Sequence, residues 1–390
     1  MNHSRMKRCS LALLATLALA TAGCTDNAAP ADPGGNPQSL TVKAGDTACT
    51  VSAAGAPSGN LTFSVTNEGS QVTEFYLLGA DGLRIIGEVE NIGPGLSRDL
   101  VLTAPPGGYF TACKPGMVGD GIRAAFTVTD SGTDLAPSGD DAALVEQANK
   151  LYGAYVKDQT EQLLAATEKF AGLYTGGSDD EARALYPKAR EHWERIETVA
   201  ESFGDLDPKM DLREADLAEG QQWTGWHRIE KDLWPARAKG YAKLDDAGRK
   251  KYADDLVANT RELYDRTRDL TFTADQIGNG AKGLLDEVAT GKVTGEEEYW
   301  SRTDLWDFQA NVDGARVGYE GLKPLLQKRN PDLDGKIGQR FAELQKLLDQ
   351  HRKDDGFAFY DELSRAEVKQ LSDAVNALSE PLSSMTAAVV

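Results

Sequence analysis

Histidine and cysteine are scarce in this 390-residue chain, four of each, and cations are outnumbered, 42 Lys and Arg against 61 Asp and Glu. The formal charge of −19 leaves no surplus of Lys or Arg to release counterions. That excludes nucleic acid as a partner and also an anionic membrane held through a basic patch. No His lies between residues 24 and 191, so a blue-copper centre, which needs two His beside a Cys, cannot be assembled there. His-Glu-x-x-His, Gly-x-Ser-x-Gly and a Gly-Lys-Ser/Thr phosphate loop are all missing. Beyond the N-terminus no apolar run approaches the ~20 residues of a membrane span.

What is present begins with an address. Arg5, Lys7 and Arg8 precede an apolar stretch from Leu11 to Ala22, and Thr21-Ala22-Gly23-Cys24 closes it with small residues. This is a secretory signal of lipoprotein type over residues 1–23, with Cys24 as the lipidated first residue of the mature chain. The acyl chains would be the only membrane contact. Processing removes three cations and no acid, which takes the charge to −22.

Residues 24–37 lack large apolar side chains and read as a tether. From 38 to 130 short runs such as LTFSVTN, EFYLL, RIIGEVE and AAFTVT alternate with Pro- and Gly-containing turns, the texture of a small all-β sandwich. Residues 131–140 form a second linker. Over 141–390 the period shifts to three and four. Leu144, Ala148, Leu151, Tyr155, Ala166, Phe170 and Leu173 mark one amphipathic face, and similar stripes cover 180–203, 211–234, 246–289, 296–328 and 334–380. An all-α bundle is expected, with two similar four-helix halves as one arrangement of it.

The sandwich keeps two cysteines, Cys49 and Cys113. They form either a disulfide, as an oxidising compartment favours, or a thiolate metal site completed by Glu74, Glu88 or Glu90. Most of the negative charge belongs to the bundle: residues 131–390 hold 34 cations and 50 acids. There Glu194 stands three residues before Glu197, close to His192, and His227 three residues before Glu230, so each of the two pairs can present two ligands from one face. Spacing alone is weak, since about nine or ten acid pairs at i,i+3 arise by chance in such a composition. His351 with Asp354 has the same spacing and reads as surface. The 192–230 region stands out because four of the six Trp (Trp193, Trp223, Trp226, Trp234) cluster about it, a low-dielectric wall for charged ligands. With one imidazole among carboxylates and no second His placed for zinc, the donor set suits a hard, higher-coordinate ion such as iron or manganese.

Three stretches, His-Trp-Glu-Arg-Ile-Glu (192–197), Gly-Trp-His-Arg-Ile-Glu-Lys-Asp-Leu-Trp (225–234) and Tyr-Trp-Ser-Arg-Thr-Asp-Leu-Trp-Asp-Phe-Gln-Ala-Asn-Val-Asp-Gly (299–314), resemble the imelysin-like family. Its branch of extracytoplasmic iron-uptake components carries an N-terminal cupredoxin-like domain, and the likeness covers 40–390. The resemblance implies a cupredoxin-like β domain followed by an imelysin-like helical domain. It implies iron, as Fe2+ or Fe3+, for the bundle, with copper as a second candidate ion in the β domain. The implied partners are a membrane iron permease and a haem peroxidase-like protein. Carried over, the metal ligands are Glu194, Glu197, Asp211 and His227, with Glu230 as ligand or supporting partner; in the β domain they are Cys49, Cys113, Glu74 and Glu90. The 299–314 motif is implied to be structural, with Asp304 or Asp307 a weaker candidate for the metal. The expected role is iron delivery without catalysis. The competing readings are a metal-dependent peptidase, from the family's older classification by His-x-x-Glu, and a module that binds an envelope polymer.

Overall fold

The computed structural model describes residues 36–135 and 139–390; the expected signal, Cys24 and most of the tether lie outside the described residues. Nine strands come first: β1 Ser39–Ala44, β2 Cys49–Val51, β3 Gly55–Pro57, β4 Gly59–Asn67, β5 Thr73–Leu78, β6 Ile85–Ile92, β7 Ser97–Ala104, β8 Gly107–Cys113 and β9 Ile122–Thr129. They form two sheets, β2-β1-β4-β7 and β3-β9-β8-β5-β6. β1 runs parallel to β4 and β3 to β9, while the other pairs are antiparallel. Alternation in β4 sends Leu61, Phe63 and Val65 inward, where the Phe63 ring meets Phe75 and Phe126 from the facing sheet. The expected β sandwich is therefore present. β2 and β3 escaped the sequence reading because three residues are too few to show a period.

Cys49 on β2 and Cys113 on β8 are bonded, with sulfurs 2.00 Å apart, and so join the two sheets. Disulfide sulfurs are not thiolates. This corrects the expectation that Cys49 and Cys113 ligate a metal. Closing a loop of 64 residues removes entropy from the unfolded chain worth about 4 kcal/mol. Replacing both cysteines with Ser is thus expected to lower the urea midpoint of the β domain strongly; equal midpoints would remove the disulfide from its stability.

The helices are α1 Ala142–Thr175, α2 Asp179–Glu194, α3 Glu197–Glu201, α4 Asp207–Met210, α5 Trp226–Leu233, α6 Asp246–Thr267, α7 Ala274–Thr290, α8 Asp304–Arg329, α9 Pro331–Leu348, α10 Arg365–Leu382 and α11 Met385–Val389. One apolar core runs through them from Val145 to Val389. On α1 the buried line is Val145, Ala148, Tyr152 and Val156, while Leu151, expected on that face, is 56% exposed. The stripe read over 211–234 is helical over α5, preceded by one short 3-10 turn and loops. Among the described residues no helix is long and apolar enough to cross a membrane.

The two parts touch along β6, β7 and α7. Asp275 accepts from the Thr103 backbone N–H at 2.9 Å, Asn279 donates to the Val101 carbonyl at 2.9 Å, and the Ile85 N–H donates to the Ser202 carbonyl at 3.0 Å.

Candidate metal centre

The site is built where the ends of short helices meet the first turns of α8. Arg190 and Glu194 occupy successive turns of one face of α2, and Glu197 opens α3. Asp211 follows the last turn of α4. His227 and Glu230 project together from α5. The start of α5 depends on Gly225, whose φ of 88° suits glycine and whose hydrogen faces the Met210 carbonyl; a Cβ there would lie 2.1 Å from that oxygen. This close approach is what brings His227 beside Asp211.

Three groups place ligand atoms within 4.8 Å of one another among the described residues: Asp211, His227 and Glu297; His227, Glu230 and Glu298; and Glu194, Glu197 and Asp211. His227 Nε2 lies 3.4 Å from Asp211 Oδ1 and 3.2 Å from Glu297 Oε1, and its Nδ1 is 3.3 Å from Glu230 Oε2. The five residues expected from the sequence, Glu194, Glu197, Asp211, His227 and Glu230, thus fall in one basin. Glu297 and Glu298 were missed; the signal was the acid run 296–298 immediately before the motif that starts at Tyr299. Asp304 and Asp307, on the first turn of α8, complete eight buried carboxyl groups.

Two permanent cations share this space. Arg190, fully buried, is hydrogen-bonded to Asp211 and Glu194, and its Nε lies 2.6 Å from Glu298 Oε1. Lys292 Nζ is 3.0 Å from Glu194 Oε2 and 2.8 Å from Glu197 Oε2. Neither was foreseen as part of the site. Other polar groups orient the acids: Trp193 Nε1 donates to Asp211 at 2.8 Å, and Asn311 donates to Glu197 at 3.0 Å. The backbone N–H groups of Trp300 and Ser301 donate to Glu230 Oε1 at 2.7 and 2.6 Å.

Burial opposes charge throughout, and neighbours decide which groups keep it. Burial works against ionised Asp211 and Glu297. Arg190 outweighs it at Asp211, and Lys292 with His227 at Glu297, so both carboxyls stay below the usual range. Burial and the Glu230 charge push Glu298 up to about 8, and burial pushes Asp304 to about 7. Glu194 and Asp307 are also raised, chiefly by burial. Burial and Arg190 disfavour a charged His227, but hydrogen bonds to Glu230 and Glu297 prevail and hold its pKa well above the ordinary value. A basin with this excess of acid suits a multivalent cation, which would displace the protons. Oxygen donors with one imidazole select a hard ion.

The other residues singled out in the sequence lie elsewhere. His192 faces Gln159, with its Nδ1 3.0 Å from Oε1, and burial lowers it to about 4. Phe75 pairs with Cys113 and with Val89, so alternation turns Glu74, Glu88 and Glu90 to the sheet face opposite the disulfide. Glu74 accepts from the Tyr76 hydroxyl and pairs with Lys114 at 3.6 Å. Glu88 and Glu90 line a cavity of about 620 Å³ between the domains together with Glu201 and Glu287. Glu74 and Glu90 therefore do not join Cys49 and Cys113 in one site, which corrects that grouping.

Comparison with known proteins adds four findings. The imelysin family model, described as a peptidase M75 family, matches residues 148–385. The iron uptake system component EfeO of Escherichia coli K12 is 36% identical over 331 residues, 84% of this chain and 85% of that protein. An Efem/EfeO family lipoprotein of Staphylococcus haemolyticus is 43% identical over 250 residues, 63% of this chain and 85% of its own. Among solved structures, a putative iron-regulated protein A precursor from Parabacteroides distasonis superimposes with a TM-score of 0.50 at 14% identity, covering 67% of this chain and 97% of its own, a likeness of fold.

Proposed function

The chain belongs to the imelysin family, and from that premise we propose that it is an extracytoplasmic iron-binding lipoprotein that delivers its ion to a membrane iron permease, working beside a haem peroxidase-like partner. The signal over residues 1–23, placed directly before Cys24, and the lipoprotein name of the staphylococcal relative support anchoring by lipid. The observation that carries the reading is the basin itself: Asp211, His227 and Glu297, flanked by Glu194, Glu197 and Glu230, all buried and over-supplied with negative charge. Iron enters as cargo and not as a resident cofactor.

The peptidase reading needs Glu230 to activate water. Its Oε1 already accepts from two backbone N–H groups and its Oε2 faces His227, which leaves no carboxylate edge for that task. Copper finds neither a thiolate nor an imidazole in the β domain, where the cysteines are cross-linked, histidine is absent and Met117 is the one thioether.

Iron titration of metal-free wild type against a Glu194→Ala, His227→Ala double variant tests the assignment. The expected loss of affinity is at least about a hundredfold, the loss of two charge-bearing or strong donor groups at ~1.4 kcal/mol per factor of ten. Unchanged binding would end it.

A further inference from the structure

Arg190 touches a carboxylate in each of the three candidate ligand groups. It is bonded to Asp211, which belongs to two of them, and to Glu194; its Nη2 is 3.6 Å from Glu297 Oε1 and its Nε 2.6 Å from Glu298 Oε1. A metal ion held by Asp211 and Glu297 would therefore face a guanidinium on the same oxygens. At such separations two positive charges repel strongly even with a generous effective dielectric. On those oxygens the two compete.

The same arrangement holds an alternative partner for the guanidinium. Arg190 Nε–H has no well-aligned acceptor despite its short approach to Glu298, and both carboxylate oxygens of fully buried Asp307 lack any donor. Arg190 Nε and Asp307 Oδ2 are only 3.8 Å apart. An unused donor and an unused acceptor side by side, sealed from water, are costly unless another arrangement pairs them. Asp307 is absent from all three ligand groups, so its carboxylate stays available to Arg190 when the other oxygens bind metal.

We propose that Arg190 is an internal counter-ion that iron displaces: in the metal-free protein it neutralises Asp211 and Glu194, and on loading it gives them up and turns to Asp307. Binding is then an exchange of cations. The affinity is set by the difference between two sets of contacts and is weaker than the ligands alone would confer, which suits a protein that must release its cargo. The inference rests on the iron-binding reading of the basin.

Iron titrations of the full mature chain test it, with wild type, Arg190→Gln, Asp307→Asn and the double variant forming one cycle. R190Q is expected to bind iron at least about tenfold more tightly, because the competing cation is gone. D307N is expected to weaken binding about tenfold in the wild-type background, and by less than about threefold when Arg190 is already replaced. Circular dichroism checks that each variant is folded. Should R190Q fail to fold, Arg190→Lys carries the comparison: a shorter ammonium that cannot span several carboxylates is expected to tighten binding by about threefold. Affinity no tighter in R190Q or R190K overturns the displacement, and so does an equal D307N effect in both backgrounds. A wild type that takes up no iron removes the functional reading instead, and the inference falls with it.

Discussion

Asp211→Ala is expected to weaken iron binding by at least about a hundredfold and to cost the metal-free protein on the order of 3–5 kcal/mol, the usual penalty for leaving one member of a buried ion pair alone. Asp211 is common to two of the three candidate ligand groups, so its loss dismantles both. It is also the acid that Arg190 and His227 keep ionised against burial, and the acceptor for Trp193 Nε1. Without it a fully buried guanidinium loses one of its two bonded carboxylates and keeps only Glu194, and the Trp193 N–H is left without an acceptor. Urea denaturation without metal reads the stability, and iron titration reads the site. An unchanged urea midpoint would mean that Arg190 re-pairs at no cost, and unchanged affinity would place the metal away from α4.

The second large effect is on pH. In the metal-free protein Glu298 and Glu88 are raised to about 8, and Asp304 and Glu287 to about 7, in each case first by burial. His227 is raised as well. A group whose pKa is higher folded than unfolded contributes stability that is complete below its unfolded value and is lost as pH rises through its folded one. For the carboxyls that loss begins above pH ~4 and continues to about 8, and for His227 it begins above pH ~6.5. Asp211 and Glu297 have lowered values and act in the opposite sense, but their contribution disappears only on acidification below pH ~4. Between pH 5.5 and 8.5 the metal-free melting temperature is therefore expected to fall, on the order of 10 °C. Saturating iron should flatten or reverse that slope, because the bound ion takes the place of the protons. Thermal melts in a chelator and in iron decide it; a flat metal-free profile would show that the acids are solvated and not buried.

Much of this architecture could be read before any coordinates. Seven strands announced themselves through alternation or short apolar runs, and the shift to a three- and four-residue period marked the helices. The errors have local causes. On the 34 residues of α1 the expected stripe lies on the core at Ala148 and Phe170 and packs against it at Leu144, Tyr155, Ala166 and Leu173, and it leaves that face at Leu151. Residues 211–225 carry apolar side chains but little helix, since Gly225 and the Trp223 Nε1 bond to the Leu212 carbonyl hold them as irregular chain.

In the site, His227 with Glu230 and Glu194 with Glu197 were visible as i,i+3 pairs. Glu297 reaches His227 across 70 residues, Lys292 reaches Glu197 across 95, and Tyr186 reaches Glu298 across 112. No periodicity reports contacts of that kind. Arg190 was hidden for another reason: an Arg four residues before a Glu is what an ordinary solvent-exposed helix face displays. Only burial distinguishes it.

The bond from the Ile85 N–H to the Ser202 carbonyl has a mechanical meaning. Ser202 follows α3, and Glu197 stands at the opposite end of that five-residue helix. A helix so short has no joint within it and turns as a rigid crank. A pull on the edge strand β6 is thus applied to one end of the crank while the other end carries a carboxylate gripped by Lys292. Whatever presses on the β domain has a direct linkage, one hydrogen bond and one turn of helix long, to the wall of the acid basin.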